Sequence, residues 1–212
     1  KFIDSELGQI PKNWTVLELK EIIDKINSRE KAGEHLHGVP YVPIDMINKK
    51  SLSLQNFKNG KEAKSSLLNF KYKDILFGAM RPYFHKVCLA PFDGVTRSTC
   101  FVLRPKKNFL HSFALCTMFL NRTIEYSNSY ATGSTIPYAN WEGALAQMKV
   151  VVPEKKALEK FQRSTENIFN LMIKVNRENQ QLTIVRDYLL PKLLSGEIDL
   201  TKAKKKIEEA VQ

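Results

Sequence analysis

The sequence predicts an α+β protein: a mixed α/β domain followed by a long C-terminal coiled-coil helix. Three observations carry this prediction. Residues 38–107 hold short β-branched and aromatic runs separated by Gly, Pro, Asn and Asp. Residues 109–128 return to helical spacing, and Glu154 to Leu194 carries an apolar repeat without glycine and with a single late proline, Pro191. The expected division is a globular domain over 1–153, a dimerisation and spacer helix over 154–196, and a tail over 197–212 that includes the lysine-rich run Lys202 to Lys206.

Taken in order, Gly8-Gln9-Ile10-Pro11 reads as a turn. Val16, Leu17, Leu19, Ile22, Ile23 and Ile26 fit a short amphipathic helix. Val39 to Ile44, Asp74 to Phe77, Lys86 to Ala90 and Thr99 to Leu103 read as strands, because each is a short β-prone run bounded by turn formers. Leu110, Phe113, Ala114, Met118 and Leu120 recur at helical spacing, Gly133-Ser134-Thr135 opens a loop, and Met148 to Val152 is a last strand. Pro153 marks the hinge into the long helix.

Counting from Phe161 in alternating steps of four and three reaches Thr165, Ile168, Met172, Val175, Asn179 and Leu182, the seam of a coiled coil. The register slips at Arg186, while Val185 and Leu189 carry the stripe onward. A helix over these residues is roughly 60 Å long at about 1.5 Å per residue, more than a domain of this size buries. The alternative is an amphipathic helix packed on its own domain. Asn179 favours a helical partner, since a single polar seam residue sets register and partner number at some cost in stability. In an antiparallel pair each Asn179 would lie near its mate.

At 212 residues and 43% hydrophobic, the chain suits one compact domain plus an extension. No run of about 18 uncharged apolar residues is present and Lys1-Phe2-Ile3-Asp4 lacks a signal-peptide core, so a soluble protein is expected. Cys88, Cys100 and Cys116 are odd in number and set among apolar neighbours, which suits buried thiols in a reducing cytosol rather than disulfides or zinc ligands. The net charge is +11, and residues 29–111 hold 15 basic against 6 acidic side chains. A positive field concentrated in one segment suits a polyanion, because neutralising phosphates releases condensed counterions.

For bond chemistry the sequence offers little. It has no Gly-rich phosphate loop, no nucleophile elbow and no zinc-binding helix. His35, His37, His85 and His111 lack metal-ligand spacing. Asp45 with Glu62 and Lys64 faintly matches the carboxylates and lysine with which nucleases hold a metal, so a self-contained metal-dependent nuclease is one alternative function and a coiled-coil interaction module another. The candidate DNA-contact residues are polar and basic groups beside turns: Arg81, Tyr83, His85 and Lys86 after the strand at 74–77, Arg97 and Ser98, and Ser134, Thr135 and Tyr138. Arginine pairs bidentately with guanine, while lysine, hydroxyls and turn N–H groups hold phosphate. The plainer reading is that Arg81 pairs with a carboxylate of its own domain, Tyr83 packs, and the hydroxyl runs are ordinary turns.

Gly8-Gln9-Ile10-Pro11-Lys12-Asn13-Trp14 with Leu19 and Ile22, Asp74-Ile75-Leu76-Phe77-Gly78 leading to Arg81-Pro82-Tyr83, Gly133-Ser134-Thr135-Ile136-Pro137 with Trp141, and Leu189-Leu190-Pro191-Lys192-Leu193-Leu194-Ser195-Gly196-Glu197-Ile198 resemble, in order and nearly end to end, the specificity subunit of type I restriction-modification enzymes. The resemblance implies a target recognition domain that reads one half of a bipartite sequence in double-stranded DNA, and a helix that spaces it from the other half. Members usually hold two such units in one chain. This sequence has one, and it has Lys160-Phe161 where the family commonly shows glutamine. The implied form is a half-size subunit, natural or a fragment, that pairs with a second copy through Ile168, Met172, Val175, Asn179, Leu182 and Leu189. The resemblance further implies no catalysis and no cofactor in this chain. Methyltransferase (M) subunits would bring S-adenosylmethionine, and a restriction (R) subunit would use ATP and magnesium, in a bacterial or archaeal cytoplasm.

Overall fold

In the computed structural model, which describes residues 1–198, the chain begins with an antiparallel hairpin of β1 (Phe2–Ser5) and β2 (Gly8–Pro11). Next come β3 (Thr15–Glu18), a single helical turn α1 (Leu19–Ile22) and β4 (Ile23–Ile26). The helix expected over 16–26 is therefore mostly strand. Val16 and Leu17 stand opposite Val151 and Val150, and Ile26 stands opposite Val102. Pairing with distant strands overrides a local pattern that fits both periods.

Short strands β5 (Arg29–Glu30), β6 (Pro40–Tyr41) and β7 (Lys58–Asn59) lead to β8 (Leu67–Phe70), β9 (Ile75–Gly78), β10 (Val87–Leu89), β11 (Gly94–Arg97) and β12 (Cys100–Pro105). Helices α2 (His111–Phe119) and α3 (Asn121–Ser129) follow, separated at Leu120, whose extended backbone (ψ 141°) breaks the single helical pattern expected there. Strand β13 (Lys149–Val152) precedes α4 (Lys155–Leu194).

The strands form a four-stranded antiparallel sheet, β10-β9-β12-β4, and a five-stranded sheet, β5-β8-β11-β6-β7, in which β11 and β6 run parallel. Gly94 allows that parallel approach: a Cβ there would sit 2.5 Å from the Pro40 carbonyl oxygen. Alternation along the strands explains the core. Ile75, Phe77, Val87, Leu89, Phe101 and Leu103 point to one face, joined by Leu115, Met118, Trp141 and Val150. Leu76, Cys88, Cys100 and Val102 point to the other, packed with Val42, Ile47, Leu54 and Phe70. The central strand β9 is therefore buried on both faces, which is why it reads as a continuous apolar run. Truncating Leu76 or Phe77 to Ala should cost about 2–5 kcal/mol.

The chain divides into two compact units, Lys1–Ile173 and a second starting at Lys174. The first includes the opening turns of α4, because Leu158 is buried and Phe169, Met172 and Ile173 pack on the domain core. In the second, an ion pair links Lys174 to Glu178, and the helix closes with Ser195 N–H donating to Pro191 O and Ile198 N–H to Lys192 O. The lysine-rich run Lys202 to Lys206, and all of the expected tail beyond Ile198, lie outside the described residues. Among the described residues no helix is long and apolar enough to cross a membrane.

Candidate nucleic-acid interface

The connection from β9 to β10 contains one 3-10 turn, Pro82–Phe84, with both flanking residues in the left-handed region, Arg81 (φ 53°, ψ 64°) and His85 (φ 51°, ψ 53°). Each such residue costs on the order of 1–3 kcal/mol and persists only where its surroundings over-determine it. They do so here. The His85 ring lies 4.7 Å from that of Phe119, and its Nε2 hydrogen-bonds the Phe119 carbonyl at 2.9 Å. Its own carbonyl accepts from Lys50 N–H at 2.8 Å. Phe119 is the last residue of α2, so the imidazole satisfies a carbonyl that the helix leaves open.

Two further segments meet this turn. Thr99 O accepts from Ala79 N–H (2.8 Å) and Met80 N–H (3.2 Å), which brings in the β11–β12 turn with Arg97 and Ser98. Pro137 O accepts from Arg81 N–H at 2.7 Å and Ala79 O from Ala139 N–H at 2.8 Å, which brings in the loop at 132–138. That loop is closed by paired bonds between Thr132 and Tyr138 (2.9 and 2.7 Å). Gly133, at φ +101°, stands where a Cβ would lie 2.5 Å from the Ile136 carbonyl, so the tip requires glycine.

Seven of the nine DNA-contact candidates thus share one end of the β9–β12 pair with side chains open to solvent. Tyr83, Arg97, Ser98, Ser134 and Thr135 are exposed, and Arg81 and Tyr138 half-buried. His85 is a correction: at 5% exposure, with its ring committed to Phe119, it holds the turn and does not reach a ligand. Lys86 is half-buried and its ammonium donates to Ile44 O at 2.8 Å, an internal tie that sequence proximity to Arg81 did not reveal. Lys49 was not among the sequence candidates. Its Nζ sits 4.1 Å from the centroid of the Phe84 ring, beside Tyr83.

Several cations at the opposite end are held in ion pairs. Lys71 pairs with Asp93, Lys73 with Glu166, Lys106 with Asp24, and Arg104 bidentately with the buried Asp74. Among the described residues, Arg81, Arg97 and Lys49 make no such pair, so their charges are uncompensated where the three loops converge. The opposite end holds a cleft of about 570 Å³ that includes Arg104, His111 and Gln162. There, Gln162 Oε1 accepts from Ser112 N–H at 2.8 Å and caps α2.

Asp45, Glu62 and Lys64 do line one cleft, of about 360 Å³, with Arg97. Their carboxylates are already used: Asp45 faces Lys58 at 3.6 Å, and Glu62 accepts from Asn59 N–H at 2.9 Å to cap a 3-10 turn. Among the described residues no three His, Cys, Asp or Glu are placed to hold a metal ion. Burial raises the thiol pKa of Cys88 and pushes that of Cys100 up to about 11, so neither is a nucleophile at neutral pH.

Of the predicted pairing residues on α4, Ile168 (62%), Val175 (42%) and Leu182 (65%) are exposed, as is Asn179. Met172 and Leu189 are half-buried, Met172 against the domain core.

Residues 11–183 match the family model described as Type I restriction modification DNA specificity domain. The chain is 27% identical to the type I restriction enzyme MjaIX specificity subunit of Methanocaldococcus jannaschii, covering 90% of this chain and 45% of that relative. It is 21% identical to the EcoDI specificity subunit of Escherichia coli, covering 93% and 45%. Among solved structures, the HsdS subunit from Thermoanaerobacter tengcongensis superposes with a TM-score of 0.56 at 17% identity, covering 88% of this chain and 50% of that one. A chain from a structure of the type I R-M system gives 0.58 at 19% identity, covering 91% and 50%. The chain spans about half the length of the curated relatives it matches. By a family match that covers most of its length, the chain belongs to the type I restriction modification DNA specificity domain family.

Proposed function

We propose that this chain is the DNA-recognition subunit of a type I restriction-modification enzyme and reads one half of a bipartite target in double-stranded DNA. The observation that carries this reading is the convergence of Arg81, Tyr83, Arg97, Ser98, Ser134, Thr135 and Tyr138 on one end of the sheet, where, among the described residues, Arg81 and Arg97 form no ion pair. Guanidinium groups suit guanine edges, and hydroxyls with turn N–H groups suit phosphate.

The exposed stripe Ile168, Val175 and Leu182 supports pairing with a second copy through α4. A two-fold assembly of this kind reads a symmetric, interrupted target. In this reading the chain performs no bond chemistry and carries no cofactor. Methyltransferase subunits dock on it and bring S-adenosylmethionine, a restriction subunit uses ATP and magnesium, and the complex works in a bacterial or archaeal cytoplasm.

Fluorescence anisotropy with a labelled duplex tests the reading. Affinity should fall at least about tenfold between about 50 and 200 mM salt. Binding that is absent at low salt would reject it.

A further inference from the structure

Resting on the DNA-recognition reading, we propose that Tyr83, with Ile136 on the adjoining loop, is a wedge that enters the base stack of the bound duplex. The two side chains are 50% and 39% exposed at the convergence of three polar loops. Their loops are tied together by the Arg81 N–H to Pro137 O bond, so the two apolar groups project from one braced platform.

The exposed Tyr83 ring stands on a braced turn. Left-handed residues bound the Tyr83 turn on both sides, and the buried His85 clamps it to the end of α2. The Tyr83 ring abuts Phe84 edge to face with centroids 4.8 Å apart, and the Lys49 ammonium covers Phe84. A side chain that only formed a hydrogen bond would not need an aromatic backing. A ring pushed between base pairs does, because unstacking a step is resisted and the wedge must not yield. Cations at Lys49 and Arg97 supply the phosphate contacts that hold the duplex against it. The occupant is thus a base step of double-stranded DNA, flexible steps being the easiest to open.

The test uses duplexes recovered by binding selection with the full chain, with 2-aminopurine scanned through each half-site and emission read at saturating protein. The wedge predicts a severalfold rise at one or two adjacent positions, retained by Tyr83→Phe and lost in Tyr83→Ala. A selected duplex that binds without brightening at any position overturns the wedge and leaves the recognition reading standing. Loss in Tyr83→Phe equal to that in Tyr83→Ala also overturns it, by assigning the effect to the phenol hydroxyl. Failure of the wild-type chain to bind duplex overturns both.

Discussion

Arg81 donates its backbone N–H to the carbonyl oxygen of Pro137 at 2.7 Å, and this bond joins two loops far apart in the chain. Because the bond is made by the backbone, removing the Arg81 side chain leaves the platform intact and removes only what the guanidinium does. Arg81→Ala should therefore cost about 1–3 kcal/mol in binding to the preferred duplex and much less with unrelated DNA. Arg97→Ala should weaken both and lower the salt slope by about one. Competition anisotropy separates the two, and equal losses for Arg81→Ala would count against base reading.

The opposite end of the sheet is a stability element. Arg104 meets Asp74 through Nε–Oδ1 and Nη2–Oδ2 contacts, both 2.7 Å, with the Asp74 side chain 2% exposed. In Arg104→Ala the carboxylate keeps the Lys71 N–H bond but loses its counter-charge. Since the Arg104 side chain is 44% exposed, water softens the loss, and about 1.5–3 kcal/mol is expected. Urea titration measures it. A change under about 0.5 kcal/mol would mean the pair contributes nothing net.

His111 ties stability to pH. Burial lowers its proton affinity, outweighing the hydrogen bond between its Nε2 and Lys73 O. The unfolded chain, titrating near 6.5, therefore takes up a proton more readily than the folded one. The contribution is fully present above about pH 6.5 and is lost as pH falls toward the lowered folded value. His111→Asn should flatten the midpoint of urea unfolding over that window, and an unchanged slope would rule out His111 as its source.

On α4, the exposed Val175 and Leu182 should be interchangeable probes of pairing. Leu182→Asp puts a charge in the seam, and light scattering at micromolar concentration should show the wild-type dimer mass fall to that of the monomer. A wild-type chain that is already monomeric contradicts the two-copy assembly.

The strands at 75–78, 87–89, 100–105 and 149–152 and the helix at 155–194 were legible in the sequence because burial on both faces, or a long unbroken period, writes a strong local pattern. Residues 16–26 were not, because Val16, Leu17, Ile22 and Ile23 satisfy strand and helix periods alike and only pairing with β12 and β13 decides between them. Strands β8 and β11 were missed because neither is an unbroken β-prone run, Asn69 interrupting the one and Gly94 and Arg97 bounding the other, and β11 is completed by a parallel pairing with Tyr41 that no local pattern encodes. At the candidate site, residue types near turns were readable, but the direction of each side chain was not. His85 lies two positions from Tyr83, yet a left-handed backbone turns one inward and leaves the other in solvent. Lys49 entered only through the fold, by stacking on Phe84.

Under the proposed function, the converged loops read sequence in duplex DNA, with two copies reading two half-sites. Selection of bound duplexes from a randomised pool, by the wild-type chain, tests it most directly. A sequence-reading pair of copies predicts a single enriched motif made of two inverted half-sites separated by an indifferent spacer. Recovery of a pool without sequence preference, despite salt-dependent binding, would contradict it.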